Sequence, residues 1–253
     1  MLEEIVANVA PRRALNLHHR ELAEQGWTLL QPEELSADLY QTLAPFGRVI
    51  PQFNGLYTFE VTLKPGFDDL PYSQSMNGIG PHTEAPVYDP PPHYLVLHCH
   101  HQATCGGGYT QLADGLEFLK TLPAGRSSDL KDWIKHNPVA FNATAKPGET
   151  TRRVLEEYIF KANTEGDIFR FSYNQFHYGD VNPSREDLSA PEARNSGTPL
   201  GRIAALGEQF FLEHSTPLLI PDGCVLIWDN WRLMHARSQY SDPKRHLTRY
   251  WLA

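Results

Sequence analysis

Two histidines and a glutamate in this sequence sit at spacings that suit one metal ion. In Gly80-Pro81-His82-Thr83-Glu84, His82 and Glu84 are two positions apart, so on extended backbone both side chains leave the same face and can reach one ion. Far downstream, Trp228-Asp229-Asn230-Trp231-Arg232-Leu233-Met234-His235 reads as an apolar strand, a polar turn and then a third ligand, the His235 imidazole. Two imidazoles and one carboxylate on a face, with other positions open, are the ligand set of non-haem iron(II) centres. The open positions matter because oxygen and a second ligand must share the ion. Taken alone, His-x-Glu is a weak pattern, since two fixed positions in three recur by chance. Context strengthens it: Arg245 stands ten residues after His235, within Asp242-Pro243-Lys244-Arg245-His246-Leu247-Thr248-Arg249-Tyr250-Trp251-Leu252. If this run is a strand, Arg245, Leu247 and Arg249 share a face, and Arg245 offers a planar fork to a carboxylate. An arginine aimed into a core without an anion is costly, so the pair implies either bound anions or an edge strand open to water.

Strands are needed to hold these groups. Short β-branched or aromatic runs bounded by Gly, Pro, Asn or Asp are expected at 57–63, 94–99, 109–113, 139–144, 168–173, 217–220, 224–228 and 246–252, after a short apolar stretch at 27–30. Helical spacing is expected at 11–25 and 32–43, an N-terminal cover over about residues 1–50, and at 115–121, 128–135 and 201–214. Many short strands with few βαβ units predict a mainly β fold with flanking helices, an antiparallel barrel or jelly roll. No repeat or linker divides residues 1–253, so a single domain is expected.

A formal charge of −8 with no offsetting basic stripe argues against nucleic acid or an anionic membrane as the main partner and favours a small molecule. Cys99, Cys105 and Cys224 are an odd number at unrelated spacings, which indicates neither a disulfide framework nor a CxxC zinc or redox site and suits a reduced cytoplasm. The start, MLEEIVANVAPRR, lacks the basic and apolar stretches of a secretory signal, and no apolar run approaches the ~20 residues of a membrane span.

With these residues in view, the sequence resembles the taurine dioxygenase and clavaminate synthase-like group of Fe(II)/2-oxoglutarate-dependent oxygenases. Pro81-His82-Thr83-Glu84 is similar to the group's HxE form of the metal motif. Gly106-Gly107-Gly108-Tyr109-Thr110 looks like its Gly-Gly-x-Thr turn, and Asp229 to Arg237 followed by Arg245-His246-Leu247 looks like its distal histidine and arginine stretch. The resemblance implies a double-stranded β-helix with iron at one mouth, held by His82, Glu84 and His235. It implies that 2-oxoglutarate is gripped by Arg245 and Thr110, with Arg249 as a second arginine for the cosubstrate or for an anionic group of the substrate. O2 would complete the reaction, giving succinate, CO2 and hydroxylation of an unactivated C–H bond in a small metabolite, such as an amino acid or a derivative. Desaturation and cyclisation are alternative outcomes at the same centre. Asn77, Arg170 and Asn174 are further substrate-facing candidates, the last two from a strand expected to continue to Tyr173. Rival readings are a zinc hydrolase on the same ligands and a sensor that binds iron and keto acid without turnover. The run His98-Cys99-His100-His101 reads either as a second metal motif or as hydrogen-bonded histidines at a strand end.

Overall fold

The computed structural model describes residues 2–66, 72–125, 129–143, 153–189 and 195–253. The chain opens with helix α1 (Leu2–Gln25), strand β1 (Trp27–Leu30), a 3-10 turn at Pro32–Glu34, α2 (Leu39–Leu43), β2 (Val49–Ile50), β3 (Phe59–Thr62), β4 (Ile79–His82) and β5 (Tyr94–His101). Next come β6 (Thr110–Asp114), α3 (Gly115–Thr121), α4 (Leu130–His136), β7 (Val139–Asn142), β8 (Val154–Glu157), β9 (Phe160–Lys161) and β10 (Ile168–Phe169). The remainder is α5 (Tyr173–Tyr178), α6 (Arg185–Ser189), α7 (Pro199–His214), β11 (Thr216–Leu218), β12 (Val225–Asp229), β13 (Leu233–Arg237) and β14 (His246–Leu252).

The larger sheet runs β1-β12-β5-β14-β2, with β3 also paired to β14, and the smaller runs β11-β6-β13-β4. Their apolar faces meet in a core built from Leu95, Leu97, Leu226, Trp228, Leu247 and Trp251 on one side and Leu112 and Leu233 on the other. This is the expected antiparallel jelly roll. Strand alternation sends the other face of the larger sheet outward, where Val96, Val225, Ile227 and Tyr250 pack with Leu22 of α1. The outer face of the smaller sheet meets α3, α4, α5 and α7 through an aromatic cluster including Phe118, Phe171, Phe176 and Phe210.

Three expected elements differ. Helix α1 begins at Leu2 and runs through Pro11 rather than starting there. The span 32–43 divides into the 3-10 turn and α2, because the Asp38 carboxylate accepts from the Tyr40 backbone N–H at 3.0 Å and starts a new helix. The run 168–173 is strand only over Ile168–Phe169; Ser172 caps α5 by accepting from the Gln175 N–H. Ser128 and Thr144, the outer ends of two other expected elements, lie outside the described residues. Among the described residues, no helix is long and apolar enough to cross a membrane.

Candidate metal and anion site

Antiparallel pairing of β13 with β4 sets His235 directly opposite His82, and the two rings lie 4.1 Å apart. Glu84 follows β4 by two residues and turns one carboxylate oxygen, Oε2, towards both: it is 3.9 Å from His82 Nε2 and 3.8 Å from His235 Nε2. These separations are too long for hydrogen bonds, yet one ion lying about 2 Å from each donor spans them. Among the described residues this is the one His/Cys/Asp/Glu group of three or more whose donor atoms all lie within 4.8 Å of one another.

The surroundings prepare the donors for a cation. His82 Nδ1 lies 2.9 Å from the Gly80 carbonyl oxygen, which can only accept, so Nδ1 carries the proton and Nε2 presents its lone pair. Burial pulls both imidazole pKa values down, that of His235 well below its ordinary value, so both rings are neutral at pH 7. His235 Nδ1 is buried with no hydrogen-bond partner among the described residues. The backbone of Glu84 is fixed by Asn230, which is wholly buried. Its side-chain oxygen accepts from the Glu84 N–H at 2.6 Å, and its amide donates to the Glu84 and Pro92 carbonyls. The residues present therefore fit a divalent metal.

Arg249 completes this group from the side. Its Nη1 donates to the other Glu84 oxygen, Oε1, at 2.7 Å, and its Nε donates to Gln52 Oε1 at 2.9 Å. Gln52 in turn donates to the Arg249 carbonyl at 2.8 Å. Phe53, Phe59 and Trp251 surround the guanidinium. Burial lowers the Arg249 pKa and the Glu84 charge opposes that fall.

Arg245 is 1% exposed and meets no carboxylate. Its Nε donates to Gln102 Oε1 and its Nη2 to the Gly108 carbonyl, both at 3.2 Å, while Nη1 is buried without a partner. Tyr240 lies beneath the guanidinium, 5.1 Å away. The glycine-rich turn makes room for it. Gly108 has φ +79°, and a Cβ there would sit 2.9 Å from Arg245 Nε; a Cβ on Gly107 would sit 2.3 Å from the Gln239 carbonyl oxygen. Thr110, buried, begins β6 two residues beyond this turn. A buried cation with only neutral partners and an unpaired N–H has the chemistry to take an anion.

The other candidates lie elsewhere. Arg170 is not substrate-facing: it is fully buried, donates to the Pro86 and Tyr88 carbonyls and pairs with Asp89 at 2.9 Å, bracing the loop after Glu84. Asn174 lies on α5 rather than a strand and donates to the Val181 carbonyl, although α5 packs beside Gly80. Asn77 precedes β4, and its carbonyl accepts from Arg237, which also gathers the carbonyls of Tyr72, Ser73 and Ser75. Sequence reasoning missed Asn230, Gln52 and Gln102 as supports. Asn230 lies within a motif already singled out, whereas nothing local marks the two glutamines.

The pattern of the family described as taurine catabolism dioxygenase TauD, TfdA family matches residues 30–251. γ-Butyrobetaine dioxygenase of Homo sapiens is 26% identical over 187 residues, which cover 66% of this chain and 42% of that protein; the same enzyme of Pongo abelii aligns equally. The chain thus spans 42% of the length of these curated relatives. Among solved structures, asparagine oxygenase in complex with Fe(II), 2S,3S-3-hydroxyasparagine and succinate superposes with a TM-score of 0.66 at 13% identity, covering 96% of this chain and 79% of that one. The non-haem iron oxygenase OrfP with Fe and α-ketoglutaric acid superposes with a TM-score of 0.59 at 14% identity, covering 94% and 78%. At such identities the structural likeness is one of fold, whereas the family match takes in nearly the whole chain: this protein belongs to the taurine catabolism dioxygenase TauD, TfdA family.

Proposed function

We propose that this chain is an Fe(II)- and 2-oxoglutarate-dependent oxygenase that hydroxylates an unactivated C–H bond of a small metabolite, with release of succinate and CO2. The observation that carries the reading is the convergence of His82, His235 and Glu84 Oε2 across the β4–β13 pair. These three residues would hold the iron. Iron with 2-oxoglutarate and O2 supplies the oxidising power, and the protein orients and shields the reaction.

The chain's own contribution is binding and orientation. Arg245, with its unpaired Nη1, takes the distal carboxylate of 2-oxoglutarate, and the buried Thr110, two residues beyond the glycine-rich turn, is the hydroxyl assigned to the same cosubstrate. Arg249 holds Glu84 Oε1, which leaves Oε2 to face the two imidazoles; any anionic group of the substrate that reaches Arg249 must share it with Glu84. The single-domain organisation, a cytoplasmic location and a soluble small-molecule substrate belong to the same reading. An amino acid or a derivative is the favoured substrate class, because the asparagine oxygenase and OrfP structures carry hydroxylated amino acids. A zinc hydrolase on the same ligands would give the Arg245 cradle no task.

Anaerobic addition of Fe(II) and 2-oxoglutarate to the metal-free chain tests the proposal. The weak visible charge-transfer band of the chelate is expected in the wild type and reduced in Glu84→Ala; its absence from the wild type overturns the reading. Succinate formation screened against amino acids and their derivatives then identifies the substrate.

A further inference from the structure

The His98-Cys99-His100-His101 run takes no part in the site above. Its sequence neighbourhood holds no carboxylate, but the fold brings two: Asp222 lies 3.5 Å from His101 Nδ1, and Glu60 arrives on β3. Leu97 and Cys99 of β5 enter the core between the sheets, so His98 and His100 leave the opposite, outer face. Pairing of β14 with β5 sets His246 beside them, and pairing of β3 with β14 sets Glu60 opposite Thr248. The ring centroids of His98 and His100 lie 4.4 Å apart, and those of His100 and His246 lie 4.7 Å apart.

Hydrogen bonding sets the tautomers. An ionised Glu60 can only accept, so His246 Nε2, 2.5 Å from Oε2, carries its proton. The Thr248 hydroxyl donates to Glu60 at 3.2 Å, so its oxygen accepts from His100 Nε2, 2.7 Å away. Both rings are then left with Nδ1 lone pairs, and one carboxylate fixes both, directly and through the threonine. This is the supporting arrangement found behind metal-bound imidazoles. His98 makes no side-chain hydrogen bond to a described residue.

We infer that His98, His100 and His246 form a second, outer site for a borderline divalent cation such as Zn2+, supported by Glu60 and Thr248. Imidazole suits this class of metal, and three histidines with a water complete a four-coordinate set. Same-face neighbours on a strand lie roughly 7 Å apart and cross-strand neighbours about 5 Å. Three imidazoles on that base can meet an ion about 2 Å from each nitrogen. The rings stand in a row with His100 in the middle, so the ion is taken up by rotation of side chains on a fixed sheet. Partial burial and the neighbouring imidazoles hold the His98 and His100 pKa values down, which favours the neutral ligand forms. An occupied site would tie the first residue of β14, next to Arg245, to β5.

The inference does not depend on the oxygenase reading. Its test is Zn2+ titrated calorimetrically into the metal-free chain, with thermal melts recorded alongside. Two Zn2+ per wild-type chain are expected, one lost in Glu84→Ala and the other in His100→Ala/His246→Ala. Glu60→Gln should weaken the outer site roughly 10–100-fold. If the double variant does not fold, His100→Gln, which can still donate to Thr248, replaces it, and the Zn2+-dependent rise in Tm of Glu84→Ala should vanish when His100→Gln is added. One Zn2+ per wild-type chain that is lost in Glu84→Ala, or a second site that survives these histidine changes, overturns the inference. Loss with His100→Gln but not with Glu84→Ala supports the outer site while removing zinc binding from the inner one.

Discussion

Arg245 immediately precedes β14 and Arg249 lies within it, four residues on; both are buried, and they are in opposite electrostatic conditions. Arg249 faces Glu84 at 2.7 Å and is enclosed by Gln52 and three aromatic rings. Arg245 faces a glutamine, a carbonyl and empty hydrogen-bonding capacity on Nη1. Identical side chains thus meet different fates according to whether the fold supplies a counter-charge. The first is a finished ion pair, and the second keeps a donor unspent among neutral partners.

Removing each arginine should separate the two conditions. Arg249→Met strands the Glu84 carboxylate in a buried setting and is expected to destabilise the metal-free chain by about 3–5 kcal/mol in chemical denaturation. Adding Glu84→Gln should recover much of that loss; no recovery would mean that Arg249 acts through its aromatic packing instead. Arg245→Met takes away a buried charge that has no protein counter-ion, so the metal-free chain should be as stable as wild type or more so. What it should lose is stabilisation by ligand: at 100 times Kd, 2-oxoglutarate contributes about 2.7 kcal/mol to a chain that binds it, and melts of the iron-loaded variant should show none of this.

Smaller changes sharpen the contrast. Asn230→Ala leaves the Glu84 N–H without its acceptor and should cost about 1–3 kcal/mol while weakening metal binding. Equilibrium denaturation and Fe(II) titration of the same sample read both. Gly108→Ala puts a methyl against Arg245 Nε and a side chain at φ +79°, so 2-oxoglutarate affinity should fall with Glu84 and Arg249 undisturbed.

The smallest effect is a pH slope. His93 is stacked between Tyr94 and Trp231, and burial pushes its pKa down to about 4. The stability of keeping it neutral is complete above about 6.5, the pKa of the unfolded chain, and is lost as pH falls towards 4. Burial raises its neighbour Asp229 to about 6, which acts in the reverse sense: stability is lost as pH rises from about 4 to 6. In the wild type the two slopes oppose each other. His93→Phe should gain stability relative to wild type as pH is lowered from 6.5 to 4, and a pH-independent difference would rule out titration of His93 as the cause.

What the sequence made legible follows from the range of the forces involved. Strands β3, β5, β12 and β14 of the larger sheet and β6 and β11 of the smaller show β-branched or aromatic runs, whereas β2, β4 and β13 are not among the expected strands; the last strand, 246–252, was readable to the residue because nothing within it competes with extension. The metal candidates were legible because each sits in a compact pattern on or beside a strand. The strand expected at 168–173 failed through a local signal of the opposite sense, the Ser172 cap, and with it fell the placement of Arg170 and Asn174 on a cavity wall. The pairing of Arg249 with Glu84, and the part taken by Gln52, join segments remote in sequence and have no local signature. They arise from the order in which the strands are laid side by side.

That order puts β4 at the rim of the smaller sheet, with β13 on one side and, beyond it, a single bridge from His82 to Ser172. β4 is thus a rim strand that ends at His82, with Glu84 two residues beyond it. Metal capture would therefore act as a rivet from β4 to β13. Hydrogen exchange in β4 and in the residues leading to Asn230 should slow on loading Fe(II), while the buried β5 and β12 keep the rate of the metal-free chain. Loading the centre would then tighten a rim that is already folded, and the metal would show itself as local protection and not as a change of fold.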